Sequence, residues 1–68
     1  MEYRTDGEIL RREYRRTRQR LKAINEILKH YNESLTPLEL DLYVMEMAKL
    51  KELRNIYELK AKILKIEI

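Results

Sequence analysis

The chain has 68 residues, of which 44% are hydrophobic and 40% are charged, and its formal net charge is +3. It has no cysteine and a single histidine, which excludes disulfides, thiolate metal sites and a multi-histidine zinc site. A chain this short rarely buries a sufficient core alone, so oligomerisation is the remaining route to stability. One glycine, one proline and an abundance of Ala, Leu, Glu, Lys, Arg and Ile predict an all-α protein.

The first predicted helix covers about residues 8–32. Its apolar positions recur in steps of four and three residues, which is the spacing of a helix packed lengthwise on another helix. This seam comprises Leu10, Tyr14, Thr17, Leu21, Ile24, Leu28 and Tyr31. We expect Thr5 or Asp6 to cap the start of the helix, where a side-chain oxygen can accept from an exposed backbone amide.

The segment "SLTPLEL" indicates the start of a second helix. Thr36, Pro37 and Glu39 have the spacing of a capping box with proline at the first helical position, and Leu35 and Leu40 flank it as a hydrophobic staple. The sequence therefore predicts a loop at 33–36 and a second helix at about 37–66. The alternation in "LELDLYV" also fits a strand, but the capping box favours a helix there. Residues 63–68 fit either the last helical turns or an extended tail.

Two helices joined by so short a loop are expected to form an antiparallel αα-hairpin, which we interpret as one domain over residues 1–68. The second helix is apolar nearly all round near its start and has a narrow polar strip from Leu50 onward, and a single partner helix cannot cover such a surface. We therefore expect two hairpins to form a dimeric four-helix bundle. The interface residues expected on the second helix are Leu40, Val44, Met47, Leu50, Tyr57 and Leu64. The residues expected to hold the bundle together are Leu21, Ile24, Leu28, Leu42, Met45, Leu53 and Ile56.

Positive charge is concentrated in the segment "RREYRRTRQRLK", residues 11–22, which holds seven Arg or Lys and one Glu. Folding the hairpin adds the Lys and Arg of the far half of the second helix to this open end, whereas Glu and Asp gather near the turn. In an antiparallel dimer each basic end lies beside the other chain's acidic turn, so charge favours that arrangement over a parallel one. Some arginines could then serve assembly instead of a ligand.

The basic segment is the candidate binding site. On a helical wheel Arg11, Arg15, Arg18 and Lys22 form one stripe beside the apolar seam, and arginine pairs bidentately with phosphate. The stripe therefore predicts contact with the phosphates of DNA or RNA, with Tyr3 and Tyr14 as candidate stacking residues. The residues predicted to contact nucleic acid, including two on other flanks, are Arg11, Arg12, Arg15, Arg16, Arg18 and Lys22. The competing interpretation is a solvated flank with salt bridges to the second helix or the second chain.

The order of a basic stretch, a helix, a short loop and a helix resembles the basic helix-loop-helix arrangement. Glu13 matches that family's base-reading pattern, but Ile9 stands where the family has histidine, and the loop is short for a parallel bundle. An antiparallel hairpin dimer is similar to the small RNA-binding Rop-type bundles in architecture, without a shared sequence motif. Both resemblances are analogies of fold, and each implies a dimer that contacts nucleic acid.

Other chemistry has weaker support in the sequence. Glu26 and His30 are one helical turn apart, but the second helix offers no matching Glu-x-x-His motif for a di-iron site. Ser34 is the only serine and lacks an orienting group for nucleophilic catalysis. We therefore expect a non-enzymatic protein without a cofactor, although its apolar surface also fits an interaction module, such as a phage- or virus-encoded inhibitor or a subunit of a larger assembly. Neither a membrane span nor a secretory signal is predicted, so membrane association is not expected and a cytoplasmic location is, in a cellular or viral setting.

Overall fold

The computed structural model describes the backbone of residues 5–68 and the side chains from Gly7 onward. It consists of helix α1, Thr5–His30, a short 3₁₀ turn at Asn32–Ser34, and helix α2, Pro37–Leu64. Residues 5–68 contain no strand, so the all-helical prediction is confirmed over this range. The two helices lie antiparallel as a hairpin, since α1 residues nearer the N-terminus contact α2 residues nearer the C-terminus. Over the same range neither helix has an apolar stretch that could cross a membrane.

The seam predicted on α1 faces α2. Leu10, Thr17, Leu21 and Ile24 are buried, and Ile24 is fully so. Tyr14 and Leu28 are half-buried at the same face. Tyr31 was expected to continue the seam, and that expectation was wrong because α1 ends at His30 and Tyr31 is 60% exposed in the turn. The side chains of Thr5 and Asp6, which were predicted to cap α1, are outside the described side chains.

The turn between the helices is closed by local hydrogen bonds. Thr36 Oγ1 accepts from the Glu39 amide at 3.1 Å, and Glu39 Oε1 accepts from the Thr36 amide at 2.8 Å, which confirms the predicted capping box. Pro37 occupies the first turn of α2, where its missing amide hydrogen costs nothing. The Leu35 amide donates to the Asn32 carbonyl at 3.3 Å and completes the 3₁₀ turn. These bonds define where α2 begins.

The end of α2 differs from the prediction. The helix stops at Leu64, and Lys65 adopts the left-handed conformation, with φ of 57° and ψ of 44°. The Ile66 amide then donates to the Ala61 carbonyl at 2.8 Å, and the Lys65 amide to the Lys62 carbonyl at 3.4 Å, which is a Schellman motif. The helical interpretation of the tail is therefore wrong after Leu64, because the chain turns there and carries residues 66–68 back towards α1.

The face of α2 that packs on α1 is only partly buried. Ala61 is the one α2 residue that is buried among the described side chains, at 4% exposure. The half-buried residues of this inward face are Leu40, Tyr43, Met47, Leu50, Arg54 and Tyr57. Four of the five buried side chains among the described residues, all except Ala61, therefore belong to α1.

The residues predicted for the dimer interface do not form one exposed surface. Four of them, Leu40, Met47, Leu50 and Tyr57, belong to the inward face and are partly covered by α1. The other two, Val44 and Leu64, are exposed on opposite flanks of that face. Four residues predicted to hold the bundle are exposed in the single chain, namely Leu42, Met45, Leu53 and Ile56. Periodicity alone could not separate these faces, because α2 is apolar on both.

Candidate nucleic-acid interface

The cationic stripe of α1 follows from helical geometry. Arg11, Arg15, Arg18 and Lys22 are separated by four, three and four residues, so the 3.6-residue repeat places them on one flank. All four side chains are exposed beside the buried seam. The seam packs against α2, which orients the flank towards solvent.

The structure brings these four side chains together along one open groove of about 370 Å³. Tyr14, Gln19 and Ile68 complete its lining. Among the described side chains Arg15, Arg18 and Lys22 make no ion pair with a carboxylate. The groove therefore has a high density of positive charge and guanidinium donors that remain available to an anion.

Tyr14 forms the wall of the groove nearest to α2. Its hydroxyl donates a hydrogen bond of 2.8 Å to Glu58 Oε2, which joins the two helices. The hydrogen bond to this carboxylate, together with partial burial, raises the pKa of Tyr14 above its ordinary value. The Arg18 guanidinium carbon lies 5.7 Å from the centre of the Tyr14 ring, within the range of a cation–π contact. Tyr14 thus positions Arg18, and one face of its ring is already covered.

The C-terminal segment closes the groove at its other end. Arg11 Nη1 donates to the Glu67 carbonyl at 3.3 Å, and Ile68 contributes to the lining. This arrangement depends on the left-handed turn at Lys65, which brings the segment back to α1. Sequence reasoning missed both Glu58 and residues 67–68 as parts of the site. The antiparallel register could have indicated Glu58, but the tail position requires the helix end to be known.

The remaining predicted nucleic-acid contacts lie elsewhere. Arg12 is exposed outside the groove, and Arg16 pairs with Glu13 at 3.4 Å on another flank. Arg20, which was not among the predicted contacts, donates from Nε to Glu46 Oε2 at 2.8 Å and from Nη2 to Glu46 Oε1 at 3.1 Å. This bidentate hydrogen bonding lowers the pKa of Glu46, and it commits Arg20 to joining the helices. Tyr3, the other predicted stacking residue, is outside the described residues.

A second groove lies on the opposite side of the hairpin, with a volume of about 560 Å³. Its lining consists of Ile9, Leu10, Glu13, Tyr57, Lys60 and Leu64. One carboxylate and one ammonium group give it no excess of either charge. It therefore lacks the features of an anion site.

The Glu26 and His30 pair is a local contact at the end of α1. Glu26 Oε1 lies 3.0 Å from His30 Nε2, and both side chains are more than half exposed. Throughout the described part of the chain, no three His, Asp or Glu side chains are grouped so that they could hold one metal ion. The basic groove is therefore the arrangement with the clearest chemical preference, which is for anions.

Comparisons of the chain with protein-family models, curated proteins and solved structures found no match. The function is therefore argued below from the geometry and charge of the hairpin itself.

Proposed function

We propose that the protein is a non-enzymatic binding protein that contacts the phosphate backbone of nucleic acid through the basic groove. The observation that supports this proposal is the convergence of four cationic side chains along one flank, three of them without an ion pair among the described side chains. Each phosphate that they neutralise releases condensed counterions, which is the main source of affinity for a polyanion. Arg15 and Arg18 supply planar donor groups for phosphate oxygens, and Lys22 supplies a mobile point charge.

The groove is better suited to backbone contact than to sequence recognition. Arg18 already lies over the Tyr14 ring, and the Tyr14 hydroxyl is held by Glu58, so these groups are oriented before a ligand arrives. Preorganisation lowers the ordering cost of binding. Phosphate contacts position a protein on nucleic acid without reading bases, so we expect affinity for many sequences.

The proposal includes a homodimer of four helices. Few of the described side chains are buried, and most large apolar residues of α2 remain exposed. A hairpin with so small a core gains stability if a second copy covers this surface. A dimer also presents two basic grooves to one polyanion, which raises its avidity.

The test is a titration of binding to a generic DNA duplex and to a structured RNA at increasing salt. We expect the affinity to fall steeply, by a slope of about 0.9 per phosphate contact on duplex DNA in a plot of log affinity against log salt. Replacing both Arg15 and Arg18 with Gln should reduce that slope by about 1.8 per groove, because two contacts are removed.

The matched control replaces Arg12 and Arg16 with Gln, which removes the same charge from the same segment of α1 but outside the groove. It should change the slope much less. Absence of binding to both nucleic acids at low salt contradicts the proposal, and equal effects of the two double variants contradict the groove as the site.

A rival function is favoured by the exposed apolar residues of α2, which could contact a different protein instead of nucleic acid. In that case the affinity measured in the titration should depend only weakly on salt, and neither arginine double variant should alter binding of the partner protein. The same titration therefore separates the two functions.

A further inference from the structure

The outer face of α2, turned away from α1, carries a second apolar seam. Six aliphatic side chains on it are between 51% and 68% exposed, and they are Leu38, Leu42, Met45, Ile56, Leu59 and Ile63. Lys49 and Glu52 continue the series between Met45 and Ile56. With these two included, the eight positions of the seam advance in alternating steps of four and three over 26 residues. That is the spacing of a helix that packs lengthwise on a partner, and no described residue of this chain covers it.

The seam has a symmetry that is visible in its residue numbers. Its eight positions are arranged equally about a midpoint between Leu50 and Lys51. When a second copy of α2 runs in the opposite direction about that midpoint, each residue meets one that is equally distant from it. The resulting pairs are Leu38 with Ile63, Leu42 with Leu59, Met45 with Ile56, and Lys49 with Glu52.

Every member of such a pair then faces a compatible partner. The three apolar pairs occur twice in the dimer, and the central lysine of each copy lies beside the central glutamate of the other. This is the property of an isologous two-fold interface, in which the same patch is complementary to itself. In antiparallel coiled coils the two heptad positions of the seam pack against each other in this way.

A parallel pairing of the same face is disfavoured. It places Lys49 against Lys49 of the second copy and Glu52 against Glu52, and like charges brought together at an interface are costly. The charges beside the seam agree with the antiparallel choice. In the antiparallel arrangement the heptad register places Asp41 of one copy beside Lys62 of the other, on the same side of the interface, and Glu39 beside Lys60.

We propose that a second copy of this chain docks antiparallel along the outer face of α2, with Lys49 and Glu52 paired across the two-fold axis. The proposal deepens the dimer included in the proposed function and replaces the interface predicted from the sequence with a different set of residues. The seam is about 37 Å long, which is most of the length of α2.

The position of the seam determines the shape of the dimer. Counting 100° per residue, it lies about 160° around α2 from the face that packs on α1. The four helices therefore form an open layer in the order α1, α2, α2, α1, rather than a square bundle. The basic groove belongs to the outer helices, so the second copy leaves it uncovered, and the arginines are not needed for assembly.

The first experiment exchanges the central charges and measures the dimer by sedimentation equilibrium without nucleic acid. Lys49→Glu should weaken the dimer by about tenfold or more, because two like-charged pairs replace two opposite ones. Glu52→Lys should do the same for the same reason. The double variant K49E/E52K restores opposite charges in an antiparallel dimer and should recover wild-type association.

The second experiment uses the absence of native cysteine to determine the orientation. Mixing the Leu42→Cys and Leu59→Cys proteins under oxidising conditions should give a cross-linked dimer, because these positions meet across the proposed seam. Leu42→Cys alone is the matched control. It should remain largely uncross-linked, since the two copies of residue 42 are about 25 Å apart in this arrangement.

A folded monomer at high micromolar concentration, a dimer that is insensitive to both charge exchanges, or efficient cross-linking of Leu42→Cys to itself overturns the proposal. The phosphate-binding function is tested independently, since the Arg15 and Arg18 double variant should dimerise as the wild type does. Loss of nucleic-acid binding with an intact dimer concerns the groove, and loss of the dimer in the absence of nucleic acid concerns the seam.

Discussion

The two faces of α2 differ in both composition and environment. The inward face mixes Tyr43, Met47, Arg54 and Tyr57 with two leucines, and it is half-buried against α1. The outer face carries six aliphatic side chains and only two charged residues along its seam, and all six are exposed by half or more. The face with more aliphatic side chains is thus the one that the chain does not cover.

This contrast indicates what each face does. The inward face can tolerate polar groups because Tyr14 and Glu58, and Arg20 and Glu46, form hydrogen bonds along its two edges. Among the described side chains the outer face has no such bonds to α1, and in the proposed dimer its lysine and glutamate pair with those of a second copy. The hairpin therefore resembles one half of a larger core, as expected for a chain too short to bury enough apolar surface alone.

The largest loss of stability is expected at the centre of the contact between α1 and the inward face of α2. Ile24→Ala should lower the free energy of unfolding by about 3 kcal/mol, because the side chain is fully buried and its removal leaves a cavity. Ile9→Ala is the matched control on the same helix and should cost much less, since Ile9 is 50% exposed. Urea unfolding followed by circular dichroism measures both, and equal losses would show that Ile24 is not the centre of the core.

The next effect distinguishes the outer seam from the rest of the exposed surface. Leu59→Ala should weaken the dimer by about tenfold or more, because two leucines are removed from a dimer interface. Leu64→Ala is matched in chemistry and in exposure, at 55% against 57%, but lies off the seam and should leave the dimer nearly unchanged. Sedimentation equilibrium measures both, and a larger effect at Leu64 would favour the interface predicted from the sequence.

A smaller effect is expected at the end of α2. Lys65→Gly should stabilise the fold by about 1 kcal/mol, because glycine adopts the left-handed conformation without the steric cost of a side chain. Lys62→Gly should instead destabilise it by about 1 kcal/mol, since Lys62 lies within the helix. Thermal unfolding of the two variants should therefore shift in opposite directions, and a shared direction would contradict the observed helix end.

The smallest change in stability is expected at the edge of the inward face, where the contribution of the Arg20 and Glu46 interaction depends on pH. Arg20 lowers the pKa of Glu46, so their interaction stabilises the fold above the unfolded pKa of about 4.3 and is lost as pH falls through the lower folded value. Arg20→Gln should therefore be slightly destabilising at about pH 7, and this loss should disappear as the pH falls below the lowered folded pKa of Glu46. Arg12→Gln removes the same charge without this partner, and its effect should not share that pH dependence.

Much of the hairpin was predictable because its signals are local. The capping box at Thr36 and Glu39 and the proline between them require only four adjacent residues, and they correctly indicated the start of α2. The seam of α1 was also predictable, because that helix has one apolar face. The end of α2 was not, since the left-handed residue there is lysine instead of the glycine or asparagine that normally marks such a turn.

The candidate groove was predictable in part for the same reason. The spacing of Arg11, Arg15, Arg18 and Lys22 is a property of one helix, whereas the contributions of Glu58, Glu67 and Ile68 depend on where α2 and the tail lie. Arg20 was similar to its neighbours in sequence, and only the position of Glu46 on the opposite helix distinguishes it from them.

The sequence by itself determined the helical class, the break between the helices, the α1 seam and the cationic flank, because each depends on contacts within a few residues. Only the tertiary structure decided which face of α2 packs on α1, which arginines are engaged and where the tail returns. These features depend on the packing angle and register between two helices, and a helix that is apolar on both faces leaves that choice open. The symmetry of the outer seam was present in the sequence throughout, but it became meaningful only when α1 was seen to occupy the other face.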